Sequence, residues 1–127
     1  MKLKPLVYIA SPYSNGDVGA NINSQLRTFH SLLEEGTVTP YAPLLNHFAH
    51  VVRPLPYETW MEYDREIIRH CDAVLRINSC MEMFDPYDYF EDYSPGADSE
   101  EEFAKVLGIP IFYNCHELLV WARGRKQ

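Results

Sequence analysis

Short runs of apolar residues alternate along this chain with segments whose apolar residues recur at helical spacing. Each run is bounded by residues typical of turns, which favours buried strands. The runs are PLVYIA (5–10), TVTPYAP (37–43), AVLRIN (73–78) and GIPIFY (108–113). The helical segments are 22–33 with Gly36 as the C-terminal cap, 56–72, 97–107 and 116–122. Strict alternation of strand and helix predicts an α/β fold with a parallel sheet, because parallel neighbours need a crossover connection.

The length of 127 residues fits one domain over residues 1–127. We expect a three-layer Rossmann-like or flavodoxin-like domain with a parallel sheet of four to five strands. Residues 42–56 are predicted to be a loop, and the acidic, aromatic segment 79–93 a longer loop or insertion. Ligands of such sheets bind at the carboxyl ends of the strands. Those ends are the loops over 11–17, 42–47 and 79–99, together with the start of the helix over 97–107.

Charge and composition exclude several classes of partner. The net charge of -7 argues against binding to a nucleic-acid backbone, which needs a basic face. No apolar run approaches the roughly 20 residues that span a bilayer, so no membrane partner is expected. The cysteine count of 3, without a CxxC motif, favours free thiols in a reducing cytoplasm.

The helix over 97–107 opens with three consecutive glutamates, Glu100 to Glu102. Helix-start chemistry explains part of this run, because Asp98 or Ser99 can cap the helix and Ser99 with Glu102 forms a capping box. Acids in a first turn are also stabilised by the helix dipole. Alternatively, Glu100 faces the ligand end of the sheet as an ionised carboxylate, which can attack a carbon that bears a leaving group. Spacing alone leaves both interpretations open.

A second acid, Asp64, lies on the apolar face of the helix over 56–72, in register with Trp60 and Ile68. A carboxylate inside an apolar stripe is costly unless it is paired or used. It either lies at the edge of the stripe, with Arg65 or Arg69 nearby, or belongs to a functional site.

Other motifs indicate less by themselves. VYIASPYSNGD is neither a GxGxxG nor a P-loop motif, and Tyr8, expected at the end of the first strand, is typical of core packing. Asn15 and Gly16 suit a turn. His47 and His50 form a lone HxxH pattern without a supporting cluster, so we expect no metal site.

Together, five segments resemble the nucleoside 2-deoxyribosyltransferase-like superfamily, over roughly residues 6 to 121. The chain resembles the short bacterial and phage members of that group. The segments, in order, are VYIASPYSNGD (7–17), PYAPLLNHFAH (40–50), PYETWMEYD (56–64), CDAVLRI (71–77) and SPGADSEEEFAKVLGIPIFY (94–113).

The resemblance implies a role for individual residues. A glycine, three residues and then a nucleophilic glutamate open the corresponding family helix, so Gly96 sets the register that selects Glu100. Tyr8 and Asp64 match residues that contact the sugar or support the nucleophile. Ser94 matches a serine of the 2'-deoxynucleoside 5'-phosphate N-hydrolases, although the first loop lacks their arginine. Further substrate-binding candidates in the matched segments are Ser11, Tyr13, Asn15, His47 and Asp98.

The activity that this resemblance implies is cleavage of the N-glycosidic bond of a (2'-deoxy)nucleoside or its 5'-monophosphate. A glycosyl ester on Glu100 would be resolved by water, giving an N-hydrolase, or by another base, giving a deoxyribosyltransferase. Asp64, and after it Asp98, are the candidates to help the base leave. The resemblance implies no cofactor or metal, and it implies a homodimer or higher homo-oligomer. The alternative is a catalytically silent nucleotide-binding or assembly protein.

Overall fold

A computed structural model describes residues 3–77 and 94–125 of the chain, and in it four parallel strands form one sheet. The strands are β1 (Leu6–Ala10), β2 (Thr39–Tyr41), β3 (Ala73–Arg76) and β4 (Ile111–Phe112), in the spatial order β2-β1-β3-β4. Val7 pairs with Pro40 on one side and with Ala73 on the other. The predicted α/β fold with a parallel sheet is confirmed, with the lower of the expected strand numbers.

Five α-helices and a 3₁₀ turn connect and follow these strands within the described residues. Sequence signals fix several of their ends: the Asp17 side chain caps the first helix, and Gly36, at φ +87°, ends it as expected. None of the helices in the described ranges is long and apolar enough to cross a membrane. The helices are α1 (Val18–Glu35), α2 (Asn46–Val52), α3 (Tyr57–Ile68), α4 (Pro95–Val106) and α5 (Cys115–Arg123), with the 3₁₀ turn at Pro43–Leu45.

The helices cover both faces of the sheet, because alternate residues of each strand point to opposite sides. Val7 and Ile9 of β1 pack with Leu118 of α5 in one buried cluster. Tyr8 of β1 packs with Ala97 of α4 in a second cluster on the other face. The first cluster lies under α1 and α5 and the second under α3 and α4, which gives the three predicted layers.

The order of the strands places the ligand end of the domain. The chain runs from β1 outward to β2 and then back across to β3, so the connections leave β1 and β3 toward opposite faces. A crevice forms at such a switch point, outside the carboxyl ends of the two strands. The β1–α1 loop and the first turn of α4 meet there.

The prediction of a loop over 42–56 is wrong in part, because this segment contains the 3₁₀ turn and α2. The turn begins at Pro43, whose fixed φ suits a helical start, and the buried Gln25 side chain accepts a hydrogen bond from Leu44 N at 2.9 Å. Helix α2 has no buried residue, so it lacks the apolar periodicity by which helices are detected in a sequence. The predicted insertion over 79–93 lies outside the described residues.

Candidate functional site

A cavity of about 540 Å³ opens at the carboxyl ends of the strands, within the size range of small-molecule sites. Its walls come from the β1–α1 loop, the 3₁₀ turn, α2, α3 and the first two turns of α4. Most of the predicted site residues line it together: Ser11, Tyr13, Asn15, His47, Asp64, Ser94, Gly96 and Glu100. Tyr8 lies beneath the cavity in contact with Glu100, and Asp98 points elsewhere.

Helix α4 begins earlier than the sequence suggested. Its N-cap is Ser94, whose hydroxyl accepts a hydrogen bond from Ala97 N at 3.2 Å, and Pro95 occupies the first helical position. The predicted cap at Asp98 or Ser99, and with it the capping box, is therefore wrong. Glu100 lies in the second turn, so it is not a first-turn acid. The Ser94 hydroxyl already has a structural partner, although it also lines the cavity.

The three glutamates differ in their surroundings. Glu100 shares the buried face of α4 with Ala97 and Ala104, and only 6% of it is exposed. Glu101 points to a neighbouring face, where it pairs with Lys105 at 3.2 Å. Glu102 is exposed to solvent. Of the three, Glu100 lines the cavity.

Tyr8 lies in the middle of β1 rather than at its end, which corrects the sequence prediction of its position. The side chain is fully buried, and its hydroxyl donates a hydrogen bond to Glu100 Oε2. Burial, and next the nearby Glu100 carboxyl, raise the pKa of Tyr8 well above its ordinary value. Tyr8 therefore keeps its proton and remains a hydrogen-bond donor to Glu100.

Asp64 of α3 reaches the same point from the opposite wall. Its carboxyl forms a hydrogen bond with that of Glu100 and accepts a long one, 3.4 Å, from Asn46 Nδ2. The expected neighbours have other partners, since Arg65 pairs with Glu58 and Arg69 with Glu66. Asp64 is thus paired with a second acid instead of a base.

Two carboxyls in contact share a proton, because both cannot be ionised cheaply at such a distance. Burial raises the pKa of Asp64 to about 6. Burial, and next the charge of Asp64, raise the pKa of Glu100 well above its ordinary value. These surroundings do not favour the ionised form that was expected for Glu100 from the sequence. The pair therefore keeps a proton to a higher pH than an ordinary carboxyl does.

The wall across the cavity is held by a tyrosine–histidine contact. Tyr13 Oη and His47 Nδ1 are 2.6 Å apart, which ties the β1–α1 loop to α2. The Asn21 side chain donates to the backbone oxygens of Tyr13 and Asn15, at 2.9 and 2.7 Å. This wall therefore has a fixed shape, set by hydrogen bonds from α1.

His50 has a structural role at the rim. Its Nδ1 accepts hydrogen bonds from Trp60 Nε1 at 2.9 Å and from Leu55 N at 3.2 Å, so the segment between α2 and α3 is held down. Residues 3–77 and 94–125 contain no group of three His, Cys, Asp or Glu side chains that could hold a metal ion.

Several residues of the site were missed at the level of sequence. Gln25 is fully buried and donates to Ile9 O and Ser11 Oγ, and its place on the apolar face of α1 was an available signal. A second missed signal was Arg76, a charged residue at the end of a buried strand, which is 7% exposed in the structure. Asn46 lies in α2, which the sequence did not predict, so no sequence pattern indicated that it lines the cavity. Trp60 was noticed only as a member of a helix face, yet it lines the cavity.

Comparison of the chain with family models, curated proteins and solved structures found no match to any of them.

Proposed function

We propose that the chain cleaves the N-glycosidic bond of a (2'-deoxy)nucleoside or its 5'-monophosphate through a glycosyl ester on Glu100. The observation that carries this proposal is the Glu100 carboxyl itself. It is buried at the base of the cavity, accepts a hydrogen bond from Tyr8, and forms a hydrogen bond with the Asp64 carboxyl. Such a pair offers an anion and an acid at one point, as the cleavage of a glycosidic bond requires.

In the first half of the reaction, a Glu100 carboxylate oxygen attacks C1' of the sugar. The bond from C1' to the base nitrogen breaks, and its electron pair stays with the base. The proton shared by the two carboxyls moves to Asp64 as Glu100 attacks and passes from Asp64 to the base, so the base leaves as a neutral molecule. Tyr8 orients the attacking carboxylate through its hydrogen bond to Oε2. The transition state resembles an oxocarbenium ion, and the adjacent negative charge stabilises it.

In the second half, Asp64 acts as the base. A water molecule attacks C1' of the ester, Asp64 takes its proton, and the bond to Glu100 breaks with the electron pair returning to the carboxylate. The pair is then restored with its single proton. If a second base attacks in place of water, the same steps give transfer to a new base. Hydrolysis and transfer thus differ only in which nucleophile reaches the ester.

The cavity walls suit a flat, largely apolar ring with a few polar atoms. Tyr57, Trp60 and His47 contribute aromatic surface, which favours stacking against a heterocyclic base. Ser11, Asn15 and Asn46 provide hydrogen-bonding groups at the cavity surface. No cofactor enters these steps.

The test is release of free base from a panel of nucleosides and 5'-monophosphates, followed by chromatography. We expect release by the native protein, loss of release in Glu100→Gln, and full release in Glu102→Gln, which removes an exposed carboxyl from the same helix. Adding a second free base distinguishes the two outcomes, because only a transferase yields the exchanged nucleoside. Binding without base release would favour the silent nucleotide-binding or assembly protein.

We also propose that the chain forms a homodimer or a larger homo-oligomer, as the resemblance implies. Light scattering at micromolar concentration tests this directly. A monomer mass under those conditions would contradict it.

A further inference from the structure

Arg76 is a charged residue in a position that favours an apolar one. It ends β3, two residues after the buried Val74, so strand alternation places it on the α3 and α4 side of the sheet. Only 7% of it is exposed. A buried guanidinium is costly unless it is paired and hydrogen-bonded, so its partners indicate why it is there.

Two of those partners flank Glu100 on α4. Arg76 Nη2 lies 3.3 Å from Asp98 Oδ1, and Arg76 Nε lies 3.8 Å from Glu101 Oε1. The third guanidinium nitrogen donates to Ile77 O at 2.6 Å, which orients the group against its own strand. Arg76 therefore contacts α4 at the positions two before and one after Glu100.

The contact continues to the next strand. Glu101 Oε2 accepts a hydrogen bond from Tyr113, at the end of β4, at 3.0 Å and pairs with Lys105 at 3.2 Å. The second turn of α4 is thus tied to the carboxyl ends of β3 and β4 at once. Movement of Glu100 relative to the sheet would require this network to break.

We propose that Arg76 is a positioning residue for Glu100: it fixes the first two turns of α4 through Asp98 and Glu101, and it places a positive charge near the attacking carboxylate. The attack itself rests on the proposed function, whereas the effect on Glu100 ionisation does not. On this inference, Asp98 helps Arg76 to hold α4 in place, and it does so away from the cavity.

The charges around Glu100 support the electrostatic half of this inference. The groups that act on it come from three elements: Tyr8 of β1, Asp64 of α3 and Arg76 of β3. Burial and Asp64 raise the pKa of Glu100, while Tyr8 and Arg76 lower it. Within the described residues, Arg76 is the cation among these groups. Its removal should therefore raise the pKa of Glu100 further.

Loss of Arg76 should leave the fold intact. Asp98 has a side chain that is 58% exposed, so water can replace its partner. Glu101 keeps its contacts with Lys105 and Tyr113.

Three variants separate the two roles of Arg76. Arg76→Lys keeps the charge without the planar fork, Arg76→Gln keeps a hydrogen-bonding group without the charge, and Arg76→Met keeps neither.

The experiment is an NMR titration of the ¹³C-labelled side-chain carboxyls of Glu100 and Asp64 in the free protein. We expect Arg76→Gln and Arg76→Met to raise the Glu100 midpoint by roughly one pH unit, and Arg76→Lys to raise it much less. The matched control is Arg123→Gln, which removes an exposed arginine paired with Glu35 far from the cavity. An unchanged midpoint in both uncharged variants would overturn the inference.

If the protein releases free base, kinetic measurements test the same inference. The acidic limb of the pH–rate profile should move upward with the titration midpoint. The kcat at its optimum should fall roughly 10- to 100-fold in Arg76→Met, with KM changed far less, because the nucleophile is misplaced. A KM effect alone, with kcat and pH profile unchanged, would overturn the inference. If the titration shifts but no variant or native protein releases base, the proposed function fails while the effect of Arg76 on Glu100 stands.

Discussion

The two faces of the sheet are built from alternate residues of the same strands, yet they differ in chemistry. Under α1 and α5, the buried cluster is apolar and includes Val7, Ile9 and Leu118, and the buried polar residues of α1, Asn21 and Gln25, do not titrate. Under α3 and α4, the cluster contains Tyr8 and adjoins the buried Glu100 and Arg76. One face is therefore a conventional core, and the other combines packing with a set of titratable groups.

The two faces therefore contribute differently to the stability of the fold. Apolar burial contributes roughly 25 cal/mol per Å², whereas a buried carboxyl pair favours the folded state only while it holds its protons. We expect substitutions on the α1 and α5 face to change stability with little effect on activity. Substitutions of Glu100 or Asp64 should lower activity with little loss of stability, and some should stabilise the protein.

The largest effect is expected for Glu100→Gln. The amide has the same shape but cannot form an ester, so base release should fall by at least roughly 10³-fold, as for other removed nucleophiles. Chromatographic measurement of free base checks this against Glu102→Gln. Comparable losses in the two variants would show that the buried carboxyl has no special role.

Leu118→Ala tests the other face. Leu118 of α5 is fully buried against the sheet, so its truncation should lower the free energy of unfolding by about 2–5 kcal/mol. Activity per folded molecule should remain within roughly threefold of the native value, because Leu118 does not line the cavity. Urea unfolding and base-release assays on the same samples measure both quantities. A large loss of kcat in fully folded protein would contradict the separation of the faces.

Asp64→Asn should stabilise the protein in alkaline solution. The pKa of Asp64 is raised from 3.8 to about 6, so its contribution to stability is full below pH 4 and is lost as the pH rises toward 6. That displacement of about two units corresponds to about 3 kcal/mol. The asparagine avoids this loss, and it can still accept from Asn46 and donate to Glu100.

Urea unfolding at pH 4 and pH 8 measures this effect. We expect Asp64→Asn to gain about 1–3 kcal/mol at pH 8 and to change little at pH 4. The control is Glu62→Gln, the same type of change at an exposed position of α3. A variant that is less stable than the native protein at pH 8 would argue against the shared proton.

Tyr8→Phe should have a smaller effect on activity than Glu100→Gln. Loss of a hydrogen bond to a charged group is worth about 1.5–3 kcal/mol, so kcat should fall roughly 10- to 100-fold. Because this hydrogen bond lowers the pKa of Glu100, the acidic limb of the pH–rate profile should also move upward. In the Glu100→Gln background the same change should cost nothing further. Additive losses in the double variant would contradict a role through Glu100.

Periodicity in the sequence was sufficient to predict the sheet, the helices other than α2, and the position of Glu100 at the ligand end of the sheet. It failed for the start of α4, where Pro95 marked the first helical position but the acids downstream were read as the start. It also failed for α2, which packs no side chain into the core. Local patterns detect a helix by its buried face, and a helix without one leaves no such pattern.

The chemistry of the site was harder to predict than its place. Asp64 and Glu100 are far apart along the chain, so only the packing of α3 against α4 reveals that their carboxyls meet. Tyr8 lies within an apolar run, where a tyrosine is typical of a core. Arg76 was the clearest missed signal, because a charge at the end of a buried strand needs partners.

The most direct test of the central claim is to trap the ester on Glu100. Fluorine at C2' of a nucleoside disfavours the oxocarbenium-like transition state, so an ester formed from it should break down slowly. After incubation and proteolysis, mass spectrometry should find the sugar on the peptide that contains Glu100, and no adduct in Glu100→Gln. Base release by Glu100→Gln at the native rate, or an adduct on another residue, would contradict the account.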